Sequence, residues 1–157
     1  MARRVVITGG GSGIGRVMAE AFLELGDQVA VCDYDQTSVH HLESAFPQCL
    51  SYCADVCDED AISEFFANVD EVFGGVDILV SNAGTGGPAG GIETLTYEDW
   101  RACISVNLDG AFLSCRWAAQ RMKEQKSGLI LLISSTSGLF GVPYRSPYVS
   151  AKWGLIG

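Results

Sequence analysis

Arg4-Val5-Val6-Ile7-Thr8-Gly9-Gly10-Gly11-Ser12-Gly13-Ile14-Gly15 decides how the rest of the chain is read. Its first five residues, Arg4 to Thr8, are a β-branched run of strand length, and the glycines that follow end it abruptly. A helical pattern begins inside the turn and runs from Gly13 to Leu25, with Val17, Ala21, Phe22 and Leu25 on one stripe and Gly26 as its stop. The same alternation continues downstream. Strands are predicted at Gln28 to Cys32, Cys49 to Cys53 (a short strand, suited to a sheet edge), Val76 to Ser81 and Leu129 to Ser134. Helices are predicted at Ser38 to Phe46, at Asp58 to Phe73 behind an acidic first turn, and from a Thr96-x-x-Asp99 capping box to about Lys123. A last helix begins near Tyr148. Short strands alternating with helices imply βαβ units and a parallel sheet.

Composition narrows the class. A chain of 157 residues is enough for one core-bearing domain, 1–157, and too short for two. With 48% hydrophobic and 18% charged residues it reads as globular. A net charge of −9 argues against a nucleic-acid partner, which would need a basic patch where only Arg3-Arg4 pairs up. The apolar residues after that pair are too few for a secretory signal, and Leu129 to Ile133 falls short of a membrane span. A soluble, cytoplasmic protein is the expectation. Cys49, Cys53 and Cys57 recur at four-residue spacing but cross from a strand into a turn, where three thiolates would not converge, so no metal site is expected. His40-His41 falls on a solvated helical face.

A strand that ends in glycines and opens a helix presents free amides and the positive end of a helix dipole, the arrangement that binds the pyrophosphate of a dinucleotide. The glycines are spaced Gly9-x-x-x-Gly13-x-Gly15, three residues separating the first two. Asp33 stands 18 positions after Gly15 at the end of the second strand, where a carboxylate can accept from ribose hydroxyls. It would repel a 2′-phosphate, and Tyr34 and Asp35 bring no cation, so NAD is expected over NADP. Near the other end, Tyr148 and Lys152 lie four positions apart on one helix face, where an ammonium can stabilise a phenolate and make a general acid/base of it.

With these residues in place, the chain resembles the short-chain dehydrogenase/reductase superfamily along its whole length. Thr8-Gly9-x-x-x-Gly13-x-Gly15 is similar to the family's cofactor motif, with Gly11, Ser12 and Ile14 inside the same turn. Asp55-Val56 looks like its adenine contact, and Asn82-Ala83-Gly84 like its N-A-G motif, with Ser81 where a second Asn is common. Asn107, Ser135, Tyr148 and Lys152 match the catalytic four, Ser135 lying thirteen residues before the tyrosine. Ser135 is preferred to Ser134 on that separation alone, and Tyr144 is a rival tyrosine that lacks a lysine four residues on.

The resemblance implies a Rossmann-like doubly wound α/β sheet with helices on both faces, and hydride exchange between a nicotinamide and a small-molecule alcohol or carbonyl. Tyr148 would move the hydroxyl proton, Lys152 would lower the tyrosine's pKa and hold the nicotinamide ribose, Ser135 would bind the substrate oxygen, and Asn107 would hold a water for proton relay. Relatives continue through two more strands beyond the five found here, so the chain is expected to be an N-terminal portion; Gly86 to Gly91 and Leu139 to Tyr144 would supply part of a substrate cavity. A homodimer or homotetramer is implied through the long helix and the helix after Tyr148, leaving Phe112, Leu113, Trp117 and Trp153 exposed in the isolated chain and prone to self-association. The alternative is a nucleotide-binding fragment without turnover, or an assembly surface.

Overall fold

Strands covered on both faces must be apolar at every position, and Val5, Val6 and Ile7 are each fully buried in the computed structural model, which describes residues 2–157. The strands are β1 (Arg4–Thr8), β2 (Gln28–Asp33), β3 (Leu50–Cys53), β4 (Ile78–Ser81) and β5 (Leu129–Leu132). They form one parallel sheet in the order β3-β2-β1-β4-β5, a doubly wound Rossmann-like arrangement. The order reverses between β1 and β4. A cleft opens there at the carboxyl ends of the strands, the usual ligand position in such sheets.

Helices α1 (Gly13–Glu24) and α2 (Gln36–Ala45) border one face, where Val5, Ile7, Val29, Val31 and Val80 meet Ala19, Leu23 and Leu42. On the other face Val6, Ala30, Cys32 and Leu79 meet α3 (Glu59–Phe73) and the helix over β4. The expected buried stripe on α1 is displaced: Gly15, Ala19 and Leu23 are buried and Phe22 partly so, while Val17 and Leu25 face outward. Gly15 and Ala19 let the first turns of α1 approach the sheet closely.

Caps fix the helix starts. Asp58 accepts from the amides of Asp60 and Ala61, and Thr96 and Asp99 form the expected reciprocal box. Asp35 accepts from Thr37 and Ser38, so α2 begins two residues earlier than Ser38. The long helix expected from Thr96 forms without a break from Tyr97 to Gln125, and a π-helical turn at Ser105–Asp109 divides it into α4 (Tyr97–Ile104) and α5 (Gly110–Gln125). Pro147 sits in the first turn of α6 (Ser146–Ile156), where its missing N–H costs nothing, which starts that helix ahead of Tyr148. Trp117, expected at the surface, is buried: its ring stacks on Phe66 of α3 at 4.4 Å between centroids and its Nε1 donates to Asp70. Phe112 and Trp153 are exposed, and no described helix is long and apolar enough to cross a membrane.

Candidate active site

Gly9 and Gly13 both adopt left-handed backbone, with φ of 63° and 54°, a conformation costly for a side-chain-bearing residue. Ser12, the N-cap of α1, makes no side-chain capping bond, so the first amides of the helix remain available to an acceptor from the cleft. Asn82 braces the turn from β4: its Nδ2 donates to the carbonyls of Thr8 (3.2 Å) and Gly9 (2.8 Å), while Thr8 Oγ1 accepts from the amides of Asn82 and Ala83. The two glycine-bearing motifs are thus one hydrogen-bonded unit across adjacent strands. A Cβ on Gly15 would strike that unit.

The cleft, about 600 Å³, extends from Asp33, Asp55 and Val56 past Gly9, Ser12, Ile14 and the Asn82-Ala83-Gly84 segment to Thr85, Gly87 and Cys103. Asp33 is buried at the end of β2; its carboxylate accepts from the amides of Gly11 (3.0 Å) and Asp35 (3.1 Å). It therefore fixes the glycine turn while bordering the cleft, each oxygen retaining a lone pair. Asp55 accepts from the Cys57 amide, and Val56 packs under Gly110. The dinucleotide cradle expected from the glycine spacing fits this geometry: open helix amides, backbone positions that exclude a side chain, and a carboxylate at the far rim. Cys49 belongs to the core under α2 whereas Cys53 and Cys57 are exposed, and no metal-holding cluster of three His, Cys, Asp or Glu occurs among the described residues.

At the other end the π turn positions Asn107. Its Nδ2 donates to the carbonyls of Cys103 and Thr85, both at 2.9 Å, and its Oδ1 accepts from the Thr85 amide. A side chain thereby takes over a helical carbonyl and ties the helix to the segment after β4, which is a reason for the widened turn. Lys152 is 4% exposed, and its Nζ donates to the Ile133 carbonyl at 2.9 Å. Burial pushes its pKa below the usual lysine value, opposed in smaller measure by Cys103. A Cβ on Gly84 would lie 3.0 Å from Asn107 Oδ1 and 3.5 Å from Lys152 Nζ, so both groups meet at that backbone. Tyr148 is half-buried with Lys152 Nζ 5.6 Å from its ring centroid.

The serines divide. Ser134 Oγ donates to the Lys152 carbonyl at 3.0 Å, which commits its proton to holding α6. Ser135 Oγ accepts from the Ser137 amide at 3.1 Å and caps a 3₁₀ turn, Thr136–Gly138, leaving its own proton free. Tyr144 is highly exposed with φ of 62°, its carbonyl held by the Gly90 amide. Thr85, Cys103 and Arg145 border this region without having been singled out by sequence. Only the nearness of Arg145 to Tyr148 along the chain pointed toward it.

Residues 3–157 match the family model described as short chain dehydrogenase. A 2-(R)-hydroxypropyl-CoM dehydrogenase from Xanthobacter autotrophicus is 36% identical over 97% of this chain and 64% of its own length. Among solved structures, an NAD+-bound xylitol dehydrogenase superposes with a TM-score of 0.92 at 26% identity, over 98% of this chain and 61% of that one. The F189W variant of actinorhodin polyketide ketoreductase with NADPH gives 0.94 at 30%, over 99% and 62%. The chain thus spans between three fifths and two thirds of the length of these relatives. With a family match over residues 3–157, a glycine turn braced by Asn82, and Lys152 close to Gly84 and to the Tyr148 ring, the chain belongs to the short-chain dehydrogenase family.

Proposed function

We propose that residues 1–157 form the NAD-binding, Rossmann-like domain of an oxidoreductase that interconverts a small-molecule alcohol and its ketone or aldehyde. The observation that carries this is Lys152: a buried ammonium with three donors and one protein acceptor, beside the Tyr148 ring and at the end of the glycine-lined cleft. Its remaining donors suit ribose hydroxyls. Gly9, Gly11, Ser12, Gly13, Ile14 and Gly15 would hold the pyrophosphate, Asp33 the adenosine ribose, Asp55 and Val56 the adenine, and Asn82, Ala83 and Gly84 the nicotinamide side. A nicotinamide dinucleotide bound there supplies hydride transfer, chemistry that no side chain provides.

Tyr148 then serves as the acid/base, its oxygen taking the hydroxyl proton in oxidation and returning it in reduction. Lys152 stabilises the phenolate through its charge. Ser135, whose proton is uncommitted, donates to the substrate oxygen and favours the charge that develops there. Asn107 keeps one lone pair on Oδ1 for the relay water. Asp33 supports NAD over NADP; since the related structures include one with NAD+ and one with NADPH, the preference rests on that carboxylate. Exposed Phe112 and Trp153 support homodimer or homotetramer assembly, and free thiols accord with a cytoplasmic setting.

The test is NADH formation from a panel of secondary alcohols, with cofactor binding followed in parallel. Turnover with NAD that exceeds turnover with NADP supports the proposal. Binding without turnover across the panel would favour the nucleotide-binding fragment, and no binding would remove both readings.

A further inference from the structure

The chain has seven arginines, and six of them, Arg3, Arg4, Arg16, Arg101, Arg116 and Arg121, lie within 4.0 Å of a carboxylate. Arg145 is the exception. In a molecule of net charge −9 it has no carboxylate within that distance, and its guanidinium donates no hydrogen bond to any described residue. It is nevertheless half-buried rather than extended into solvent. Its Cζ lies 5.4 Å from the Tyr148 ring centroid, so two cations, Arg145 and Lys152, lie within about 6 Å of that ring's centroid. The head group also crosses Gly86, where a Cβ would come within 2.8 Å of Nη2.

A guanidinium stacked on an aromatic ring has lost much of its rotational freedom while keeping five donors in a planar fork, which suits an oxyanion. Its field reaches the cleft: burial pushes the Cys103 thiol, which lines the cleft, above the usual thiol range, and the charges of Arg145 and Lys152 oppose that rise in smaller measure. The acidic group on the same wall, Asp99, accepts from the amide and hydroxyl of Thr96 through Oδ2. We propose that Arg145 is a specificity residue for substrates that carry an oxyanion, a carboxylate or a tetrahedral phosphonate-like group, a few bonds from the reacting carbon. This rests on the oxidoreductase reading for what the site reacts with, but not for the binding itself.

Calorimetric titration of the protein, with and without NADH, tests it with three probes: 4-oxopentanoate, 2-oxopropylphosphonate and the neutral 2-pentanone. At least one anion should bind about tenfold or more tightly than the ketone, the scale of a charge-assisted hydrogen bond. Which anion does so distinguishes planar from tetrahedral recognition. Arg145→Gln should erase that advantage, Arg145→Lys should restore part of it, and NADH affinity should stay within twofold in both. Gly86→Ala, which displaces the head group, should weaken anion binding without removing the charge. Anions that bind no better than the ketone, or an advantage that survives Arg145→Gln, would overturn the assignment. Loss of NADH binding with an Arg145-dependent anion preference intact would sustain this site and count against the cofactor reading alone.

Discussion

Alanine at position 15 adds one methyl group at the most crowded point of the glycine turn. The added Cβ would lie 2.5 Å from Asn82 Nδ2, closer still to the Gly9 carbonyl oxygen, and 3.0 Å from Gly10 Cα. Two of these three are backbone atoms that cannot rotate away, and the third is engaged in two hydrogen bonds. Overpacking of this kind costs about 1–3 kcal/mol, and disrupting the Asn82 bonds adds roughly 1 kcal/mol. Gly15→Ala should therefore destabilise the fold by about 2–4 kcal/mol. Gly13 supplies the control: a Cβ there meets nothing within 4 Å, and only its φ of 54° opposes substitution. Gly13→Ala should cost about 1–2 kcal/mol, the left-handed penalty alone. Urea unfolding followed by tryptophan fluorescence gives both values, and NAD titration should show the larger loss for Gly15→Ala. Equal costs, or Gly13→Ala the worse, would refute the idea that close packing against Gly9 and Asn82 shapes the turn.

Asp33→Ala should narrow the preference for NAD over NADP, measured by fluorescence titration of both; a preference for NADP already present and unchanged by the substitution would contradict the role given to that carboxylate. Ser134→Ala, which releases the Lys152 carbonyl, should lower thermal stability, whereas Ser135→Ala should lower kcat by about 10²-fold with little change in Tm, the scale of one lost oxyanion donor. The Arg4 guanidinium beside Asp77 holds its carboxyl below the usual carboxylate range, principally through their side-chain hydrogen bond. Because the folded-state pKa is depressed, the stabilisation is present above the unfolded value of about 4 and is lost as pH falls through the lower folded value. Asp77→Asn should accordingly lower Tm at pH 7, with the gap to the parent closing below about pH 4; a gap that widens in acid would reverse the sign.

Strands and caps were legible because their causes are local. Val5-Val6-Ile7 announces a strand covered on both faces, and Thr96 with Asp99 carries its own hydrogen bonds. The buried face of α1 was not legible, since Val17 and Leu25 make as apolar a stripe as Ala19 and Leu23, and the choice between them depends on how closely β1 approaches. Trp117 was misplaced for a similar reason: Phe66 and Asp70, which cover and bond it, are about fifty residues away on α3. The π turn depends on Asn107 meeting Thr85 across the cleft, a contact with no trace in helical periodicity. Among candidate site residues, the glycine turn, Asp33, Asn82 and the Tyr148/Lys152 pair are legible from spacing. What separates Ser135 from Ser134 is where each proton goes, and only the folded chain shows that. Arg145 likewise becomes notable only when its fellow arginines are seen to be paired.

Tyr148→Phe keeps the ring near Arg145 and Lys152 and removes one oxygen, so it isolates the acid/base role from the packing role. Measured on the same preparation, kcat should fall by about 10²–10⁴-fold or more, while the Kd for NAD stays within about twofold of the parent. Turnover within tenfold of the parent, at unchanged NAD affinity, would contradict the assignment of Tyr148 and move attention to Tyr144.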